Sequence, residues 1–142
     1  MQGNVNIHVE SVSNFAGMRD TLTFTGTGTL EKTDYGYHLR YTATNDIDGS
    51  EVASDVKLEQ ASHRAVIINE NLQYGYGMLL DPKAVTATKL EAGGGATVLN
   101  VATQEVSWDL GRKEGIIVLR YTLMQGVQPM SALTLTIHLQ QE

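Results

Sequence analysis

The sequence predicts an all-β chain closed into one antiparallel β-barrel of about eight to ten strands. The first observation is the run Thr21, Thr23, Thr25, Thr27, Thr29, which alternates with Leu22, Phe24, Gly26, Gly28, Leu30. Period-two alternation marks a strand with one wet and one buried face. The second is the regular recurrence of turn-forming Gly, Asn, Asp and Pro, at a spacing of ~8–12 residues typical of sandwiches and up-and-down barrels. The third is the lack of any convincing apolar stripe at helical spacing.

The strands follow in order. Val5, Ile7 and Val9 share a face, and Asn14 with Gly17 turns the chain into the threonine strand. Thr33-Asp34 precedes a strand with Tyr35, Tyr37, Leu39, Tyr41 and Ala43 on one side and His38, Arg40 and Thr42 on the other. Asn45 to Gly49 forms the next turn, then Val52, Val56 and Leu58. The 51–62 and 98–106 segments fit a helical stripe poorly and read as strand. Leu72, Tyr74, Tyr76, Met78 and Leu80 form a further face after Asn69-Glu70-Asn71, and Gly93-Gly94-Gly95 is a hairpin tip. Val106, Trp108 and Leu110, then Ile117, Leu119, Tyr121 and Leu123, and finally Leu133, Leu135, Ile137 and Leu139 complete the set. A sheet with one apolar face must bury that face on itself or on a second sheet. The whole chain, 1–142, reads as one domain without linker or repeat.

Composition narrows the function classes. Ten Lys and Arg against sixteen Asp and Glu give a net charge of −6, which argues against a nucleic-acid partner. Without cysteine there is no disulfide, thiolate nucleophile or zinc-thiolate site. No segment has the length and apolarity of a membrane span, and the first residues lack a signal-peptide pattern. The expectation is a cytoplasmic protein with no membrane partner.

The motifs for chemistry are weak. His8, His38, His63 and His138 are not spaced as a local metal pair, and they read as solvated histidines. The Asp46–Glu51 run reads as a hairpin turn, since its acids are too close together for a calcium loop. Gly26-x-Gly28 and Gly75-x-Gly77 precede no helix, so they mark close backbone approach and not a phosphate loop. No Gly-x-Ser-x-Gly elbow and no carboxylate pair is present.

The positive signal is tyrosine. All six tyrosines project to the inferred apolar faces, which implies a hydrogen-bonded core network or a pocket with a few polar points. If a ligand binds, Tyr37, Tyr41, Tyr76 and Tyr121 line its pocket with Trp108 nearby. Arg40-Tyr41 and Arg120-Tyr121 are adjacent, so each guanidinium points away from its Tyr, and no Arg-x-Tyr carboxylate clamp forms. Ile116 and Val118 make their strand apolar on both sides, which suits a homodimer contact.

The order of motifs resembles a known family. Gly26-Thr27-Gly28-Thr29-Leu30, His38-Leu39-Arg40-Tyr41, Thr103 with Asp109-Leu110, and Ile117-Val118-Leu119-Arg120-Tyr121 are similar to the YwiB-like family of bacterial domains of unknown function. The resemblance spans roughly 5 to 139 and implies a calycin-like (lipocalin-superfamily) barrel. Ile68-Asn69-Glu70-Asn71 stands where family members tend to carry Arg-x-Gly, and Leu90 to Gly95 replaces an aromatic-Gly segment. The resemblance implies a fold and no reaction. The expected function is therefore a non-enzymatic barrel, without cofactor or metal, that binds a small, partly apolar molecule. The alternative is a structural or protein-interaction barrel with a filled core.

Overall fold

The computed structural model describes residues 1–70, 74–92 and 95–142, with side chains except at 74–76 and 90–92. Ten strands run in chain order: β1 (Gly3–Phe15), β2 (Met18–Lys32), β3 (Gly36–Asn45), β4 (Glu51–Glu59), β5 (Arg64–Glu70), β6 (Tyr74–Leu80), β7 (Thr86–Ala92), β8 (Gly95–Leu110), β9 (Glu114–Gln125) and β10 (Gln128–Gln141). Each pairs antiparallel with its chain neighbours, and β10 returns to β1, so the sheet closes with no free edge. Of the two segments that fit a helix poorly, 98–106 is strand within β8, whereas 51–62 is strand only over β4, and 60–62 form the turn after it.

Register fixes which side chains enter the barrel. Opposite Val5, Ile7 and Val9 stand Gly28, Gly26 and Phe24 on one side, and Gln141, Leu139 and Ile137 on the other. All of these belong to the inner face, while Thr21, Thr25, Thr27 and Thr29 are exposed outside. Gly26 and Gly28 are required by close approach. A Cβ built on Gly26 would lie 1.9 Å from the Thr42 carbonyl oxygen, and one on Gly28 would lie 2.2 Å from that of Arg40. Here β2 bends so tightly onto β3 that no side chain fits, as the corners of small barrels require.

The interior changes character along the barrel axis. At the end holding the 33–35, 60–63, 81–85 and 111–113 turns, the inner face is aliphatic. Leu30, Leu39, Leu58, Leu80, Ile117 and Ile137 there are at most 1% exposed. Edge-on contact of the His63 ring with Trp108, centroids 5.3 Å apart, lies at this same end. Toward the opposite end the inner positions turn polar: Val9 is followed by Ser11, Val56 is preceded by Ser54, and Ile67 is followed by Asn69. Leu22, expected in the core, is 38% exposed and Phe24 is only half-buried, because they stand where the barrel opens.

Two further expectations are corrected. Tyr35 lies in the turn before β3 and is 42% exposed, so it is not an inner residue. His38 does sit outside the barrel, but it is buried and not solvated. Its Nε2 is 2.8 Å from Asp55 Oδ1, which also meets Arg40 Nε at 3.3 Å. Glu31 of β2 and Lys57 of β4 stand opposite His38 on the neighbouring strands.

Candidate functional site

The open end holds a cavity of about 740 Å³. Val9, Phe24, Leu133 and Leu135 supply apolar wall, and the turn after β3 supplies its lip. That turn is built by Asn45, whose Oδ1 accepts hydrogen bonds from the backbone N–H of Ile47 (2.8 Å) and of Asp48 (3.2 Å). Gly49 takes a φ of 75°, and Asp48 in turn accepts from the Ser50 amide and hydroxyl. The Asp46–Glu51 run is thus a hairpin turn, as its sequence predicts.

The polar floor is a row across three strands. Register places Tyr41 of β3 opposite Ser54 of β4, and Ser54 opposite Asn69 of β5. The Ser54 hydroxyl donates to Asn69 Oδ1, and Tyr41 hydrogen-bonds with Ser54. Tyr41 and Ser54 are 6% and 4% exposed, and burial pushes the Tyr41 phenol above the ordinary tyrosine range, the Ser54 bond offsetting part of the rise. Tyr121 of β9 lines the cavity as well. Thr103, opposite Tyr121 next to a β-bulge, has an enclosed hydroxyl oxygen with no hydrogen-bond partner.

Of the residues expected to line a pocket, the structure brings Tyr41 and Tyr121 together. Tyr37 and Trp108 are inner residues packed on the core at the opposite, filled end, away from the cavity lining. Tyr76 sits opposite Asn69 in register, and its side chain lies outside the described set. Ser11, Asn45, Ser54 and Asn69 were missed. Their signal is parity: Ser11 and Asn45 continue the inward alternation past Val9 and Ala43, Ser54 falls between the inward Val52 and Val56, and Asn69 stands two residues after the inward Ile67.

Electrostatics at the cavity are one-sided. Among the described residues its lining contains no Lys, Arg or His, and its carboxyls are those of Asp48 and Glu51 at the lip. Arg40 and Arg120 lie outside the barrel, on Asp55 (3.3 Å) and Glu105 (2.9 Å), as the adjacency argument requires. A second concavity, about 590 Å³, lies between β1, β9 and β10, where His8 and His138 face each other across strands with ring centroids 6.4 Å apart. The sequence reading could not pair them, because 129 residues of chain intervene. Among the described residues, no three His, Asp or Glu side chains gather to hold a metal ion.

The profile of a domain of unknown function, DUF1934, matches residues 7–137. The chain belongs to the DUF1934 family. The crystal structure of the ywiB protein from Bacillus subtilis is similar to this DUF1934 chain at a TM-score of 0.80 and 20% identity. The match covers 99% of this chain and 93% of that one. That likeness is one of fold, and it agrees with the calycin-like barrel that the motif order implies. A comparison with curated proteins finds no match. Among the described residues of the DUF1934 chain, no helix is long and apolar enough to cross a membrane.

Proposed function

We propose that this barrel is a non-enzymatic binding module that takes a small, partly apolar molecule into its open end. The observation that carries this reading is the 740 Å³ cavity, whose apolar wall adjoins the polar row Tyr41–Ser54–Asn69. Apolar wall with a few placed polar groups is the usual composition of small-molecule sites. Burial of ligand surface supplies affinity, at about 25 cal/mol per Å² removed from water, and the polar row sets orientation. The cavity also favours this reading over a barrel filled throughout, since aliphatic packing occupies only the half around Leu39 and Ile117. Among the described lining residues, the hydroxyl that meets a carboxylate, Ser50 on Asp48, belongs to the exposed turn at the lip and braces that turn, which supports binding without catalysis. The threonine-rich outer face is the reverse of a membrane barrel's, which supports a protein of the cytoplasm.

Trp108 lies away from the cavity and is no reporter for it. The test is an NMR titration with 4-phenyl-1-butanol, a neutral probe. Saturable shifts centred on the amides of Val9, Tyr41, Ser54, Tyr121 and Leu135 are expected, with affinity reduced in Tyr41→Phe. Shifts scattered over the outer face, or none, would overturn the reading.

A homodimer contact on the outer face of β9 belongs to the same proposal. Ile116 and Val118 point away from the core yet are half-buried by their neighbours. An apolar pair in that position favours self-association. Sedimentation is expected to give a dimer for the native chain and a monomer for Ile116→Glu, and a native monomer contradicts it.

A further inference from the structure

Resting on the cavity reading, we infer that the ligand class is cationic: an amine whose apolar body enters the barrel while its ammonium group stays at the lip. Three observations converge. Among the described residues the lining offers no cation to a carboxylate, sulfate or phosphate. A buried anion without a partner is strongly disfavoured, so an acidic guest would have to keep its charge outside. The lip carries Asp48 and Glu51. Hydrogen bonds from Ser50 hold the Asp48 carboxyl below the ordinary aspartate range, so it is ionised at neutral pH. Glu51 is exposed, and among the described residues no group hydrogen-bonds or ion-pairs with its carboxylate, which leaves it open to a guest.

The geometry orders the guest. Phe24, Leu133 and Leu135 face the apolar body, and the Tyr41–Ser54–Asn69 row lies below. The two carboxylates flank the exit, where solvent still reaches them. Their contribution is therefore modest, selective by sign, and screened by salt. Together they discriminate between guests of one shape that differ only in charge.

The experiment compares three probes with one tail: 4-phenylbutylamine, 4-phenyl-1-butanol and 4-phenylbutyrate, titrated into the full chain at low and high salt and followed by amide NMR. The amine is expected to bind about fivefold tighter than the alcohol, and the acid weaker than both. The amine's advantage is expected to vanish in the double variant Asp48→Asn, Glu51→Gln and to shrink in 0.5 M salt, roughly threefold past the screening regime of physiological buffer. Alcohol affinity is expected to fall less than amine affinity in that variant, and an amide spectrum that matches the native one outside residues 45–51 shows that it is folded. Three probes of equal affinity, or a preferred acid, would overturn the cationic class and leave the cavity reading standing. An amine preference that survives in the double variant would overturn the roles of Asp48 and Glu51. Failure of all three to give saturable shifts at the cavity would overturn the cavity reading, and this inference with it.

Discussion

At the scale of single residues, Tyr41 joins stability to the cavity. Its phenol is raised by burial, so the folded chain holds that proton more tightly than the unfolded chain does. The stabilisation is fully present below the unfolded value near pH 10 and declines as pH rises through the higher folded value. Tyr41→Phe is expected to flatten this alkaline decline in urea melts at pH 9 to 11. At neutral pH it loses one hydrogen bond, a cost of about 1 kcal/mol. Thr103 predicts the opposite sign. Its enclosed hydroxyl has no partner, so Thr103→Val, which keeps the shape, is expected to be neutral or to stabilise by up to about 1 kcal/mol in denaturant titrations. Inward direction was readable from alternation at Tyr41 and Tyr121, but depth along the barrel axis was not. Tyr37 and Tyr41 share a face and differ only in how far they stand from the open end.

Strands were more legible than sites because alternation and turn residues are local. The threonine run, the Asn45–Gly49 turn and the bend glycines lie where the sequence placed them. Pairings across the barrel were not legible, as His8 with His138 illustrates, since no local pattern encodes which strands meet. The strongest prediction at this scale concerns β2. A methyl group at Gly28 would stand 2.2 Å from the Arg40 carbonyl oxygen and 2.7 Å from Tyr41 Cβ, and backbone cannot swing aside as a side chain does. Gly28→Ala is expected to cost at least about 3 kcal/mol, the upper range for overpacking, measured by urea unfolding. The same substitution at Gly17, where the turn leaves open space around the residue, meets no neighbour and strains only a φ of 79°. It is expected to cost only about 1 kcal/mol. A similar loss at both sites would contradict the tight bend.

For the whole molecule, closure is the organising fact. Ten register pairs join β1 to β10, from Val5 opposite Gln141 to Asn14 opposite Ala132. Every backbone ladder therefore continues into another, and cooperativity in unfolding should extend around the ring. One end is packed with aliphatic side chains and the other is hollow. Most of the stability thus resides away from the cavity, which leaves the open end free to carry polar groups that a core would reject.

The seam between β1 and β10 brings the first and last residues of the chain side by side. The Gln141 side-chain amide reaches the carbonyl oxygens of Gln2 and Asn4 at 2.9 and 3.1 Å, and the Glu142 amide reaches Asn4 at 3.1 Å. The barrel is thus a belt whose buckle could sit at any turn. Joining residues 142 and 1 through a short Gly-Ser bridge and cutting at Gly126-Val127, an exposed tip, should give a permuted chain with the native amide spectrum and nearly native stability. Such a ring would place new chain ends at the hollow rim, where a tether or reporter could be hung directly over the entrance.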